Sequence, residues 1–196
     1  HLHGGEITRG AIDDSIRHSL TKMAHFHFVA TSEYRKRVIQ LGEDANSVFN
    51  VGGLGVDAIK NISLLTKSEL ESELGFSFGS KNLMITFHPV TNEDHSSKHH
   101  IQNLLNALKK LNNVNFIFTM PNSDHDNKII STLINEFVSK HKNHKSFKSL
   151  GQKKYLSCLQ FVDGVVGNSS SGLLEAPSFN IGTINIGERQ SGRLKA

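Results

Sequence analysis

The stretch GNSSSGLLEAP, Gly167 to Pro177, places three consecutive serines between two glycines, after the apolar run FVDGVV and before another apolar segment. At the start of a helix the backbone N–H groups have no intrahelical partner and favour an anion. The hydroxyls of Ser169, Ser170 and Ser171 add donors there, and glycine lets a phosphate approach the backbone. No lysine follows the glycine in the manner of a P-loop, which argues against a triphosphate-cleaving site. Glu175 lies five residues after Ser170, where a carboxylate on a short helix accepts hydrogens from ribose hydroxyls.

Other polar groups stand at the ends of other apolar runs. TFHPV places His88 at one end, held by Pro89; TMPNSDHDN places Asn122 and Asp124 at another. GERQSGR brings Arg189 and Arg193, whose guanidiniums suit a phosphate or a uracil carbonyl. These ends together describe a nucleotide-diphosphate pocket without a GxGxxG. The amino-terminal part adds two motifs. HLHGGE reads as a strand end followed by a tight glycine turn, with His3 and Glu6 as titratable groups. AIDDSIRH starts a helix with Asp13 and Asp14, and Arg17 follows one turn on. Acids at a helix start serve as dipole partners; beside His and Arg in a cleft they are also acid–base candidates. On a helix Asp13 and Asp14 lie about 100° and 200° from Ile12, so they point apart. Asp13 is expected to face the cleft and to pair with Arg17 at i+4.

The elements that must carry these residues alternate. Strands are expected at 26–30, 47–52, 83–89, 115–121, 163–168 and 182–187, β-branched or aromatic and closed by Gly, Pro or Asn. Several are apolar at consecutive positions, as parallel strands covered on both faces must be. Helices are expected between them. Ile12, Ile16, Leu20 and Met23 form one apolar face of the first. SEYRKRVIQLG has Ser32 as N-cap and Gly42 past the end. Thr66 and Glu69 form a capping box before Gly75. HHIQNLLNALKKL and HDNKIISTLINEFVSKHK are amphipathic, and GQKKYLSCLQF is a shorter helix. The alternation predicts an α/β fold with parallel sheets, in which ligands bind beyond the carboxyl ends of the strands. Glycine-rich GGLGVDAIKN suggests a boundary, with residues 1–55 in a first domain and 56–196 in a second.

Composition narrows the classes. The chain has 196 residues, 37% hydrophobic and 20% charged, as in an ordinary globular protein. No apolar run approaches the roughly 20 residues of a membrane span, no secretory leader is visible, and a cytoplasmic setting is expected. HLHGGE begins without Met, as in an internal piece of a longer protein. The single Cys158 excludes an internal disulfide and reads as a buried, inert thiol. The formal charge of +4 is spread out, and KHKNHKSFK at 140–148 reads as a solvated basic face rather than a nucleic-acid surface. The 12 His lack metal-ligand spacing, so no metal is expected.

Taken in order, HLHGGE, AIDDSIRHSLTKMAHFHF, TFHPVT, GNSSSGLLEAP and NIGERQSGR resemble the hydrolysing UDP-N-acetylglucosamine 2-epimerases, in the branch of bacterial sialic-acid and legionaminic-acid pathways. The resemblance covers nearly the whole chain. It implies two Rossmann-like domains of the GT-B type. Residues 1–55 would be the later part of the first, and 56–196 the UDP-binding second, without its closing helix. It implies removal of the C2 proton, anti elimination of UDP to a glycal, and rehydration with inverted C2 configuration, without nicotinamide or other cofactor. Ser169, Ser170, Arg189 and His88 would surround the diphosphate, with Glu175 on the ribose and Asn122 nearby. Asp13, Asp14 and Arg17 would line the sugar side. The resemblance further implies a homodimer, and this piece alone would be inactive. One departure stands out: the family pattern H-x-E-G-G has His3 in place of its Glu. Either His3 takes the proton role, as a histidine side chain can near neutral pH, or Glu6 does. A GT-B glycosyltransferase using a UDP-sugar is the main alternative, and a non-catalytic UDP-binding module is a third.

Overall fold

The computed structural model describes residues 1–9, 11–89, 97–121 and 127–195. They form two compact units, His1–Asn61 with Arg189–Ala196, and Ile62–Glu188. The boundary expected between residues 55 and 56 falls within one helix, Leu54–Asn61, and residues 189–196 group with the first unit.

The first unit runs α1 (Ile12–Met23), β1 (His27–Val29), α2 (Ser32–Gln40), β2 (Val48–Asn50) and α3 (Leu54–Asn61). β1 and β2 pair in parallel with His27 opposite Val48, and Leu2 bridges Phe28 on the other side of β1. His27 and Val29 point inward and Phe28 outward, as the two-residue period of a strand requires. Val29, Tyr34, Val38 and Val48 form its small core. Thr31 caps α2 by accepting the Tyr34 N–H, so the expected cap at Ser32 is one residue late.

The expected apolar face of α1 is corrected. Ile16, Leu20 and Met23 are exposed, Met23 at 77%. The side turned into the unit carries Asp14, Arg17, His18 and Thr21 instead, at i, i+3, i+4 and i+7. The reason is electrostatic: Arg17 and Asp14 are bound to the loop of residues 3–9, which fixes the rotation of the helix.

The second unit runs α4 (Lys67–Leu74), β3 (Asn82–Thr86), α5 (Ser97–Leu108), β4 (Asn115–Thr119), α6 (Asn127–Val138), β5 (His144–Phe147), α7 (Gly151–Leu159), β6 (Gly164–Gly167), α8 (Ser171–Leu174) and β7 (Gly182–Asn185). Its five strands are parallel in the order β5-β4-β3-β6-β7. The order reverses between β3 and β6, the switch point at which ligands bind in open α/β sheets. Ile85, Phe116, Phe118 and Val166 pack against Ile101, Leu105, Ile130 and Ile134 of α5 and α6. Met84, Ile117 and Val165 alternate with them and are buried too, so both faces are covered as expected. The capping box of Thr66 and Glu69 is present, and Gly75 ends α4 in the left-handed conformation. Cys158 is buried, and burial pushes its thiol up to about 12.

β5 is the strand that sequence reading misses. Part of KHKNHKSFK is not a free basic face but an edge strand paired to β4, with His144 opposite Phe116. An edge strand has one neighbour and shows little apolar patterning. Only His144 of this strand is buried, its ring 4.4 Å from that of Phe116.

Candidate functional site

At the switch point the ends of β3 and β6 are tied together. Gly167 has φ +144°, and a Cβ there would lie 1.8 Å from Thr86 O, so the close approach of the strands demands glycine. The next residue, Asn168, holds the other strand's exit. Its Oδ1 accepts the His88 N–H at 2.7 Å and its Nδ2 donates to His88 O at 2.8 Å. The side chain thus replaces the next rung of the ladder across 80 residues of sequence. Below it the Thr86 and Thr119 hydroxyls meet in a short hydrogen bond. His88 is buried beside this bracket.

The serines follow directly. Ser169 Oγ accepts the Ser171 N–H at 3.4 Å, which leaves its own hydrogen for another acceptor. Ser170 makes no side-chain cap bond, and its Oγ makes no hydrogen bond among the described residues. Helix α8 is four residues long, so its macrodipole is slight, and an anion placed there would be met by the local N–H groups and the two hydroxyls rather than by a helix dipole. Ser171 differs from its neighbours. Its Oγ donates to Glu175 Oε2 at 2.5 Å and also meets the phenol of Tyr155 on α7. Gly172 allows this turn to press against β7, since a Cβ there would lie 2.6 Å from Thr183 Cγ2.

A second cluster lies within the first unit. HLHGGE forms the expected tight turn. His3 takes φ +62°, a left-handed conformation uncommon outside glycine, and Gly5 takes φ +80° against the Tyr34 carbonyl. The turn aims Glu6 inward, where it is 2% exposed. Arg17 and Arg193 approach Glu6 Oε2 at 3.5 and 3.4 Å, His3 Nε2 lies 3.5 Å from Oε1, and Tyr34 donates to Oε1 at 3.4 Å. Burial alone would raise the Glu6 pKa; the His3 hydrogen bond and the charges of Arg193, His3 and Arg17 outweigh it and hold the pKa below its ordinary value. Glu6 is therefore a fixed anion that organises two guanidiniums. Arg193 also reaches Thr8 Oγ1 at 3.2 Å, and Arg9 N donates to Ser191 O, so GERQSGR returns to this loop.

The pairing expected between Asp13 and Arg17 is corrected. Arg17 pairs with Asp14 at 3.0 Å in i,i+3 register, and the same Asp14 oxygen accepts the Thr8 N–H at 2.8 Å. The loop N–H decides between the acids. Asp13 is exposed and makes no hydrogen bond or ion pair among the described residues.

The structure therefore brings His88, Ser169, Ser170, Ser171 and Glu175 into the second unit, and His3, Glu6, Asp14 and Arg17 together in the first, with Asp13 at the start of the same helix. Arg189 begins the segment that belongs to the first unit. Asn122 and Asp124 lie outside the described residues. Asn168 and Tyr155 are missed by sequence reading. The Asn after a strand was legible only as a strand end, and Tyr155 as part of an apolar helix. Among the described residues no group of three His, Cys, Asp or Glu is placed to hold a metal ion, and no helix is long and apolar enough to cross a membrane.

A family model described as UDP-N-acetylglucosamine 2-epimerase matches residues 1–196. The chain is 44% identical over 197 residues to a protein of Campylobacter jejuni named GDP/UDP-N,N'-diacetylbacillosamine 2-epimerase (hydrolyzing), covering 100% of this chain and 51% of that protein. It is 36% identical to UDP-N,N'-diacetylbacillosamine 2-epimerase (hydrolyzing) of Legionella pneumophila, over 98% of this chain and 50% of that protein. The chain thus spans about half the length of these curated relatives. Among solved structures, UDP-GlcNAc 2-epimerase from Neisseria meningitidis bound to UDP-GlcNAc superimposes with a TM-score of 0.76 at 17% identity, over 94% of this chain and 52% of that one.

Proposed function

Because the chain belongs to the UDP-N-acetylglucosamine 2-epimerase family, we propose that the whole protein is a hydrolysing 2-epimerase of a UDP-linked 2-acetamido sugar. The names of the Campylobacter and Legionella relatives support a diacetamido sugar, with UDP-N-acetylglucosamine as the simpler candidate. The observation that carries the reading is the second unit's strand-end cluster. Uncommitted Ser169 and Ser170 donors stand at the switch point, beside a His88 backbone already locked by Asn168. Such neutral donors are pre-set for a diphosphate, and they cost little reorganisation when negative charge grows on the departing UDP.

The reaction removes the C2 proton and expels UDP from C1, forming a C1–C2 double bond. Water then adds its oxygen to C1 and a proton to C2 from the opposite face. The products are UDP and the free 2-epimeric sugar, and no electrons are transferred overall. A C2 proton is poorly acidic, so stabilisation of the leaving group does much of the work. Ser169, Ser170 and His88 are assigned to the diphosphate and Glu175 to the ribose, with Arg189 and Asn122 as further ligands. Asp13, whose carboxylate makes no hydrogen bond or ion pair among the described residues, is assigned proton transfer. Asp14, Arg17 and Glu6 are assigned positioning, because Arg17 is paired with both carboxylates. His3 remains a second proton carrier, since it stands on the exposed side of Glu6.

Incubation of the whole protein with UDP-N-acetylglucosamine, and separately with UDP-N,N'-diacetylbacillosamine, tests the reading. Release of UDP with the 2-epimeric free sugar, carrying solvent deuterium at C2, supports it. Release of unepimerised sugar without deuterium points to a glycosyltransferase acting slowly on water.

A further inference from the structure

Tyr155 belongs to no strand-end motif, yet its phenol reaches the site through one intermediary. The Tyr155 hydroxyl meets Ser171 Oγ, and Ser171 Oγ lies 2.5 Å from Glu175 Oε2. The direction of this chain follows from the donors available. A carboxylate only accepts, so the hydrogen between Ser171 and Glu175 is the serine's; Ser171 must then accept from the phenol. Burial, joined by the charge of Glu175 and only partly offset by the Ser171 hydrogen bond, pushes the phenol up to about 12, so it keeps its proton across the neutral range.

We propose that Tyr155 is a positioning residue for nucleotide recognition: the relay Tyr155–Ser171–Glu175 fixes Oε2 of the carboxylate and presents Oε1 to the ribose hydroxyls of a nucleoside diphosphate. This rests on the assignment of Glu175 to the ribose made above. It also separates the three serines by role. Ser169 and Ser170 keep hydroxyl hydrogens for phosphate, whereas the Ser171 hydrogen is spent on Glu175. Without the relay, Glu175 at the end of the four-residue helix would sample several rotamers, and the ribose contact would have to order it on binding.

The test compares two ligands on the whole protein by calorimetry: UDP, and 2′,3′-dideoxy-UDP, which lacks both ribose hydroxyls. Wild type should prefer UDP. Tyr155→Phe should raise the Kd for UDP by about five- to tenfold, the scale of a lost hydrogen bond, and leave the Kd for the dideoxy ligand unchanged. Ser171→Ala, which removes the middle link without touching the phenol, should collapse the preference in the same way. If Tyr155→Phe weakens both ligands equally, the residue merely packs α7 against α8 and the proposal is overturned. It is overturned equally if Glu175→Gln abolishes the preference while Tyr155→Phe and Ser171→Ala retain it. If Glu175→Gln itself leaves the preference intact, the ribose assignment fails first and the relay has nothing to position.

Discussion

The second unit covers both faces of its central strands β3, β4 and β6, whereas the first leaves Phe26, Phe28 and Phe49, with Ile16, Leu20 and Met23 of α1, in solvent. Their polar clusters differ in the same sense. In the second unit the strand ends are held by neutral bonds, Asn168 on the His88 backbone and Thr86 on Thr119, above a continuous apolar core. In the first, the apolar cluster among the described residues is Val29, Tyr34, Val38 and Val48, and the loop of residues 3–9 is held by charge: Glu6 between two guanidiniums, and Asp14 between Arg17 and a backbone N–H. Hydrophobic packing frees polar groups from structural duty, so Ser169 and Ser170 remain available to a ligand. Where packing is thin, ionisable groups do the holding, and few are left over. Asp13 is one that is.

The comparison breaks most easily at Glu6. Glu6→Ala would leave Arg17 and Arg193 facing each other without their shared anion, and loss of a buried charge partner costs about 3 kcal/mol or more. Chemical denaturation of the whole protein should show that loss, and a change below about 1 kcal/mol would mean that Asp14 alone holds the cage. The next effect is on turnover. Asp13→Asn should lower kcat by about 10²-fold, the scale of lost acid–base catalysis, with the denaturation midpoint unchanged because that exposed carboxylate holds no partner among the described residues. Asp14→Asn should show the reverse weighting, with a clear fall in stability. Equal stability losses in both variants would show that α1 is not fixed by the Thr8 N–H.

In the second unit, Asn168→Ala removes the two neutral bonds that this side chain makes to the buried His88 backbone. At roughly 1 kcal/mol for each bond, about 2 kcal/mol of stability should go, and UDP affinity should fall with it because the strand ends splay. A variant that lost stability but bound UDP normally would separate the bracket from the site.

Local chemistry was legible in the sequence. The Thr66–Glu69 box lies within one turn, glycines mark the two tight strand exits, and consecutive apolar residues identify strands buried on both faces. Choices decided by distant partners were not legible. Asp13 and Asp14 are chemically alike, and only the N–H of Thr8 distinguishes them. The rotation of α1 follows its apolar residues in an isolated helix, but here the ion pairs oppose that pattern and win. Asn168 acts on a backbone 80 residues away, and Ser171 is indistinguishable from Ser169 until Tyr155 is seen beside it. β5 fails for a further reason: an edge strand of polar residues has no period to read.

That edge strand supplies the smallest effect and the finest test. His144 is 9% exposed, with its ring stacked on Phe137 and lying against Phe116 and His141, and its Nδ1 has no hydrogen-bond partner among the described residues. Burial pushes its pKa below the ordinary 6.5; the Asn143 backbone, as an acceptor for the ring, opposes this, and the neighbouring His141 acts in the same direction as burial. The folded state therefore binds this proton less readily than the unfolded chain. The sign follows from linkage: the contribution is fully present above pH 6.5 and is lost as pH falls below it through the depressed folded value. The denaturation midpoint of the second unit should thus be lower at pH 5.5 than at pH 7.5. His144→Phe keeps the aromatic stack and cannot be protonated, so it should shrink that difference without lowering the midpoint at pH 7.5. A pH dependence identical to wild type would mean that His144 binds its proton equally well in the folded and unfolded chain, so that burial at this edge does not oppose protonation.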